Sequence, residues 1–413
     1  MSSYEEPKPS KLQPLHPAQE ALLLAEADRN LAALLPPQQE SRLNRALDKH
    51  GLTRRDFIAW ATVMTATLGL PPAFTGRVAR AAEAATRLPI IWQELQSCTG
   101  NSMALLRTAN PGLDNIILEV LSLEYHPALM AAAGDQAKAV LAGSIEKHRG
   151  QYIAIFEGSV PVGQRGIFMT SGSKGEPSTD LVRRIARDAK YVLSAGTCAA
   201  YGGIPKAGPN PTEAMGIKEF LRDNNIRTPV INLPACPVGA TNIVGTILEL
   251  VLFGRVPQLD AFDRPVWAYG TRIHDKCERR GNFDAGEFVQ SWADISSLKK
   301  GFCLYKVGCK GPFTYNNCGV VRYNQGTSWP IQAGHGCVGC SEPNFWDTMT
   351  PFHQPVAARV FSPPVLSDST ADRVGLWTMG AVAVGIAAHA VGTMVRSALE
   401  DRKASKTSPE PKE

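Results

Sequence analysis

Residues 88–105, LPIIWQELQSCTGNSMAL, carry the reading that decides the fold. The apolar run LPIIWQEL stops at a polar turn holding Cys98, and Asn101 stands three residues further on. A short run rich in β-branched and aromatic residues that ends in turn formers reads as a buried strand. Three more runs share this shape: QYIAIFEG (151–158), AKYVLSAG (189–196) and TPVINLPA (228–235). Helix-like stretches such as PSTDLVRRIARDA and TEAMGIKEFLRDN lie between them. Alternation of this kind predicts an α/β domain with a mostly parallel sheet over 86–265. Sites in such sheets gather at the carboxyl ends of the strands. Cys98 follows the first run, Glu157 and Gly158 end the second, Cys198 follows the third in SAGTCAAYGG, and Cys236 follows the fourth in LPACPVG. Three thiols distant in sequence are therefore expected on one rim, either as buried apolar cysteines or as ligands of a cluster.

Working outward, the 413 residues are 44% hydrophobic and 20% charged, enough for two domains with a sizeable core. The net charge of +5 comes partly from the N-terminal arm and the tail, and basic residues are not interleaved with aromatics. That pattern gives little support to a nucleic-acid surface. Nine cysteines cannot all pair internally, and six of them lie between Cys277 and Cys340. From about residue 266 periodicity fades and ligand density rises. RIHDKCERRG places His274 beside Cys277, FCLYKVGCKGPFTYNNCG adds Cys303, Cys309 and Cys318, and GHGCVGC supplies Cys337 and Cys340. A Cys3His set suits zinc, but seven soft ligands in so short a stretch exceed one zinc site. Iron–sulfur clusters account better for the number.

The two ends speak to location. Residues 1–50 are polar, Pro- and Gln-containing and weakly helical, and read as an arm. In LTRRDFIAWATVMTATLGLPPAF, Arg54 and Arg55 precede an apolar run from Phe57 to Leu70, and ARAAEAA follows with small-x-small cleavage options near Ala81 to Ala85. This order is that of a twin-arginine export signal, with 1–85 as the arm and signal region. Val374 to Val395 has no Asp, Glu, Lys or Arg and is long enough to cross a bilayer as a helix. Arg396, Arg402, Lys403 and Lys406 follow it, while Asp368, Asp372 and Arg373 precede it. That asymmetry puts the C-terminus of a 366–413 anchor and tail in the cytoplasm and the body on the periplasmic side of the inner membrane. His389 lies inside the span, where an ionisable group either meets a partner, here a haem-bearing one, or bonds to nearby backbone.

The segments SCTGN, EGSVP, GTCAAYGG, ACPVGA, IHDKCERRG, CLYKVGCKGPFTYNNC and GTSWPIQAGHGCVGCSEPNFWD, in that order, resemble the small subunit of the membrane-bound uptake nickel–iron hydrogenases. The resemblance covers about 88–365 and extends to the signal and the C-terminal anchor. It implies a flavodoxin-like domain followed by an irregular cluster domain at 266–365. It also implies three clusters: a proximal [4Fe-4S] on Cys98, Cys198 and Cys236; a medial [3Fe-4S] on Cys318, Cys337 and Cys340, with Pro330 in the place of a fourth ligand; and a distal [4Fe-4S] on His274, Cys277, Cys303 and Cys309. His274 is expected exposed, its second ring nitrogen facing an electron acceptor.

Asn101 departs from the usual Cys-x-x-Cys. It is expected to bind the fourth proximal iron through its oxygen, with Ser97, Ser102 or water as other oxygen donors, or a three-iron proximal cluster as the further alternative. Gly100 and Gly203 stand where some oxygen-tolerant relatives carry extra cysteines. By resemblance the nickel–iron centre belongs to a large partner protein, catalysis is not in this chain, and electrons from hydrogen go to a membrane cytochrome b and quinone. Higher oligomers of the heterodimer are expected. Glu157 is a candidate for proton movement or for contact with the large partner, or a hydrogen-bonded rim carboxylate. The alternative functions are a low-turnover hydrogen-sensing hydrogenase and a zinc-stabilised, membrane-anchored scaffold.

Overall fold

The computed structural model describes residues 16–35, 53–85, 88–106, 122–324, 326–356 and 368–406. Residues 1–15 and 36–52 of the expected arm lie outside these, as do the side chains of the charges expected to flank the C-terminal span, apart from Arg396. The chain divides into two compact units, Met1–Pro355 and Val356–Glu413. The boundary expected near 265 therefore does not separate compact units.

In chain order the main elements of the first unit are α1 (Pro17–Leu34), α2 (Arg54–Thr67), α3 (Thr75–Ala85), β1 (Pro89–Glu94), α4 (Gly100–Leu106), β2 (Ser122–Tyr125), α5 (Gly134–Lys147), β3 (Ile153–Glu157), α6 (Ser178–Arg187), β4 (Tyr191–Ala195), α7 (Thr197–Tyr201), α8 (Ile217–Asp223), β5 (Val230–Leu233) and α9 (Ala240–Phe253). The four expected runs are β1, β3, β4 and β5. The short strand β2 joins them at the edge, giving one sheet of order β2-β1-β3-β4-β5. Each adjacent pair is parallel, so the fold is a doubly wound α/β sheet with its switch point between β1 and β3.

Strand alternation divides the core between the two faces. Ile90, Trp92, Ile155 and Leu193 point to one side, and Ile91, Ala154, Phe156 and Val192 to the other. The second face is covered by α5, α6 and α8. In α6 the apolar stripe Leu181, Val182, Ile185 and Ala186 turns inward and the arginines stay outside. The first face is covered by α9, whose sequence ATNIVGTILELVLF is buried along almost its whole length. A helix apolar on all sides needs cover on the side away from the sheet.

That cover comes from the N-terminal segment. Ala27 and Leu31 of α1, Ala61 and Met64 of α2, Phe74, and Val78, Ala81, Ala82 and Ala85 of α3 belong to the same core as α9. Asn30 Nδ2 donates to the Leu252 carbonyl at 3.1 Å, satisfying an open carbonyl near the end of α9, and Glu26 pairs with Arg255 at 3.1 Å. Asp28 on α1 pairs with Arg77 on α3 at 2.6 Å. The expected arm thus contributes one helix to the domain core and the expected signal region two. The reason is the second apolar face of α9. Arg54 and Arg55 remain exposed at the start of α2, which Thr53 and Asp56 cap reciprocally.

After α9, the described residues from 266 to 356 form only 3-10 turns, isolated bridges and helices of at most five residues. Their core is small: Ile273, Val289, Leu304, Val307, Trp329 and Ile331 pack with Cys309, Cys318 and Cys337.

In the second unit, the helix α10 (Asp368–Lys406) contains Trp377–Leu399, a stretch long and apolar enough to cross a membrane and exposed within its unit. His389 lies on it, exposed, and its carbonyl accepts from Thr393 Oγ1 at 2.7 Å.

Candidate metal centres

The sheet sets the first centre. Glu94 of β1 pairs with Glu157 of β3, Glu157 with Ala195 of β4, and Ala195 with Leu233 of β5. The strands therefore end along one row, and Cys98, Cys198 and Cys236 follow within four residues of it. Their charges interact, Cys198 with Cys236 and Cys98, and Cys236 with Cys98. Cys98 and Cys236 are exposed and Cys198 is half-buried. Burial pushes the Cys198 thiol up to about 12, with the neighbouring thiols adding to it. Gly100 and Gly203 lie against these sulfurs: a Cβ on Gly100 would stand 3.0 Å from Cys98 Sγ, and one on Gly203 would meet Cys198 Sγ.

The loop carrying Cys98 is pinned from below by Glu157, which is fully buried. Its Oε1 accepts from the Asn101 backbone N–H (2.8 Å) and from Asn101 Nδ2 (3.2 Å). Its Oε2 accepts from the Ser102 N–H (3.0 Å), Ser102 Oγ (2.5 Å) and Trp92 Nε1 (3.3 Å). A carboxylate accepting the first amides of α4 is favourably placed for both hydrogen bonding and the helix dipole. Asn101 is itself buried, and its Oδ1 accepts from the Val238 N–H at 2.9 Å, which ties the Cys98 loop to the Cys236 loop. Gly158 is required beneath them: at φ +101° a Cβ would stand 2.7 Å from the Gln96 carbonyl carbon and oxygen. Ser97 Oγ accepts from the Thr99 N–H at 3.3 Å.

Beside Glu157 lies a polar group of which the sequence singles out only Ser102. Ser102 Oγ also bonds to Glu94 Oε1 and to His126 Nε2, each at 3.1 Å, and His126 stacks on Trp92 at 5.3 Å. Burial lowers His126 to about 4, so it is neutral. Burial, with the Glu157 charge, raises Glu94. These residues belong to no motif, and only the folded sheet brings them together.

Cys318, Cys337 and Cys340 wall a cavity of about 370 Å³ that Pro330 and Cys236 also line. Burial pushes Cys318 up to about 11 and Cys340 up to about 12. Cys337 is also raised by burial; the Gly339 N–H points at its sulfur at 3.4 Å, and Thr314 Oγ1 lies 3.6 Å away.

His274, Cys277, Cys303 and Cys309 line a third site, a small cavity. His274 is buried, not exposed as expected, because the Phe283 ring packs edge-on against it at 4.5 Å. Burial, and then Arg280, lower its pKa, which keeps the imidazole neutral and able to act as a ligand. The Arg279 N–H points at Cys277 Sγ at 3.4 Å.

None of the nine cysteines is in a disulfide among the described residues. Buried thiols with amide N–H groups aimed at their sulfurs suit thiolates bound to metal, which removes the proton that burial otherwise retains. Adjacent sets are also joined. Cys236 lines the same cavity as Cys318, Cys337 and Cys340, and the Cys337 N–H donates to Cys309 Sγ at 3.3 Å.

Known proteins are similar to this chain in sequence and fold. The family described as the C-terminal part of the NiFe/NiFeSe hydrogenase small subunit matches residues 269–353, and that described as NADH ubiquinone oxidoreductase, 20 Kd subunit, matches 98–250. The quinone-reactive Ni/Fe-hydrogenase small chain of Wolinella succinogenes is 51% identical over 84% of this chain and 98% of its own. The uptake hydrogenase small subunit of Azotobacter vinelandii is 43% identical over 86% and 97%. The recombinant [NiFeSe] hydrogenase structure from Desulfovibrio vulgaris Hildenborough superposes with a TM-score of 0.59 at 38% identity, covering 65% of this chain and 98% of that one.

Proposed function

The chain belongs to the small subunits of the nickel–iron hydrogenases, and from that membership we propose that its thiols and His274 hold three iron–sulfur clusters in a row. It is the electron-transfer subunit of a hydrogenase, active with a large subunit that carries the nickel–iron centre. The proximal cluster sits on Cys98, Cys198 and Cys236 with an oxygen donor in the fourth place; Asn101 takes it only by turning its Oδ1 from the Val238 N–H, and Ser97 or water takes it otherwise. The medial, three-iron cluster sits on Cys318, Cys337 and Cys340 beside Pro330, and the distal one on His274, Cys277, Cys303 and Cys309. Bound there, such clusters supply one-electron carriers between the large subunit and a membrane acceptor.

The observation that carries this reading is the joining of neighbouring thiol sets, Cys236 lining the cavity of Cys318, Cys337 and Cys340, and the Cys337 N–H donating to Cys309 Sγ. Neighbouring sites that share a wall suit transfer from one to the next. Amide donors stabilise negative charge on sulfur. Glu157, with both oxygens engaged, holds the Cys98 loop. The exposed Cys98 and Cys236 mark the rim that the large subunit would cover.

The Wolinella relative is named as quinone-reactive, which supports a membrane cytochrome b and quinone as acceptor here. The apolar helix Trp377–Leu399 would then anchor the chain, with His389 as its contact to that membrane partner. The exposed Arg54–Arg55 pair supports export in folded form and a periplasmic body.

Iron, sulfide and zinc content of the chain co-purified with its large subunit, with electron paramagnetic resonance spectra of oxidised and hydrogen-reduced samples, tests the reading. The expected result is about eleven irons and hydrogen-reducible cluster signals. About ten irons with a second three-iron signal places no iron at the Asn101 corner. Zinc without iron would sink the relay.

A further inference from the structure

A fixed positive charge is buried beside the peptide that follows Cys340. Arg264 is fully buried. Asp260 folds back on it, Oδ1 accepting the Arg264 N–H at 2.9 Å and Oδ2 accepting Nε at 2.7 Å. The far end of the guanidinium reaches the cluster region. Nη1 donates to the Ser341 carbonyl and to Glu342 Oε1, each at 3.1 Å, and Nη2 has no hydrogen-bond partner among the described residues. Phe262, Tyr269 and Tyr315 ring it at 5.1, 5.5 and 5.9 Å.

Both neighbours of this charge lead to cluster cysteines. Ser341 directly follows Cys340, so the guanidinium holds the peptide next to a medial thiol. Thr197 Oγ1 donates to the Cys340 carbonyl from the proximal side. Tyr201, three residues after Cys198 on α7, packs edge-on against Phe262 at 6.5 Å.

Burying a guanidinium is costly even when it is paired, and an apolar seam of the same volume is often at least as stable. Stability alone therefore does not account for the group. Arginine stays charged at every pH the protein meets. In a dry interior that charge, hydrogen-bonded to the peptide that follows Cys340, is weakly screened. A cation stabilises the more negative, reduced form of a nearby cluster.

We propose that Arg264 is a positioning residue for electron transfer, fixing the Cys340 segment and holding the medial cluster's reduction potential up, with Glu342 opposing it. This rests on the assignment of Cys318, Cys337 and Cys340 to a cluster.

The test is a redox titration of the three-iron signal in the intact heterodimer, followed by electron paramagnetic resonance. Arg264→Gln lowers the medial midpoint, Arg264→Lys leaves it near the wild-type value, and Glu342→Gln raises it. The distal signal moves in none of them. A purely structural role would not move the midpoint in opposite directions in the Arg264→Gln and Glu342→Gln variants. Midpoints that shift the same way, or not at all, overturn the proposal. Where Arg264→Gln does not accumulate, Glu342→Gln decides: an unchanged or lowered midpoint overturns it. A wild-type protein with no three-iron signal removes the cluster assignment and this role with it, an outcome distinct from a signal that is present and does not shift.

Discussion

Residues 88–253 and residues 266–353 both carry thiols proposed to hold clusters, but they hold them in opposite relations to their cores. In the sheet half, Cys98, Cys198 and Cys236 stand on a rim beyond the strand ends, outside two large apolar cores. In the cluster half, Cys309, Cys318 and Cys337 are themselves part of the core, a handful of apolar side chains among turns. The first is a scaffold that presents ligands. The second is a region whose ligands are its interior. Metal should therefore be dispensable for folding in one and decisive in the other, since a region with so little apolar burial depends on coordination for stability.

The largest effect expected follows from that difference. Chelating the iron under reducing conditions should abolish hydrogen-exchange protection across 266–353 while the sheet amides of 89–94, 153–157 and 191–195 remain protected. Exchange followed by mass spectrometry reads both regions in one sample. Equal loss in the two halves breaks the contrast.

A second prediction concerns how far the sheet half extends. Phe74 is fully buried and packs against Phe253 of α9 at 6.1 Å, in the layer contributed by the N-terminal helices. Phe74→Ala should cost about 3–5 kcal/mol, enough to open that layer locally by more than about a hundredfold. In the wild type Ala81, Ala82, Ala84 and Ala85 are buried, so a protease has no extended substrate near the expected cleavage point. Proteolysis between 75 and 90 in the full-length heterodimer should accelerate in the variant. Unchanged cleavage would mean that the layer lies apart from the core.

The two halves also differ in what the chain discloses before folding. Apolar runs ending in Gly, Ser or Pro made four strands and the rim cysteines legible. The edge strand SLEY was hidden because it is short and carries a charge. Cys and His spacing separated the ligands from the rest of the chain, yet the burial of His274 depends on Phe283, which closes over it only in the fold. The packing of α1 to α3 is hidden in the sequence because a leader and a packed helix share the same apolar content. The signal that distinguishes them lies elsewhere, in α9, whose second apolar face needed a partner. Glu94, His126 and Arg264 are isolated in sequence, and the partners that Ser102 and Ser341 give them are met only in the fold.

The smallest effect separates the halves by pH. Glu249, on α9, is raised to about 7 by burial, with Trp267 and Arg255 only partly offsetting it. A carboxyl with a raised folded-state pKa binds its proton more tightly in the folded chain than in the unfolded one. Its contribution is therefore fully present below about 4.5 and is lost as pH rises through about 7, a loss of about 3 kcal/mol at most. Glu249→Gln should flatten the stability of the sheet half across that window and leave it more stable than the wild type at pH 8. In the iron-loaded cluster half the coordinating thiols carry no proton to lose, so no matching decline is expected there. Exchange protection of the two halves in the intact heterodimer, measured from pH 4 to 10, should thus decline in the sheet half alone, and Glu249→Gln should remove that decline. A decline shared by both halves would mean that they unfold together and that the scaffold does not stand without its cluster partner.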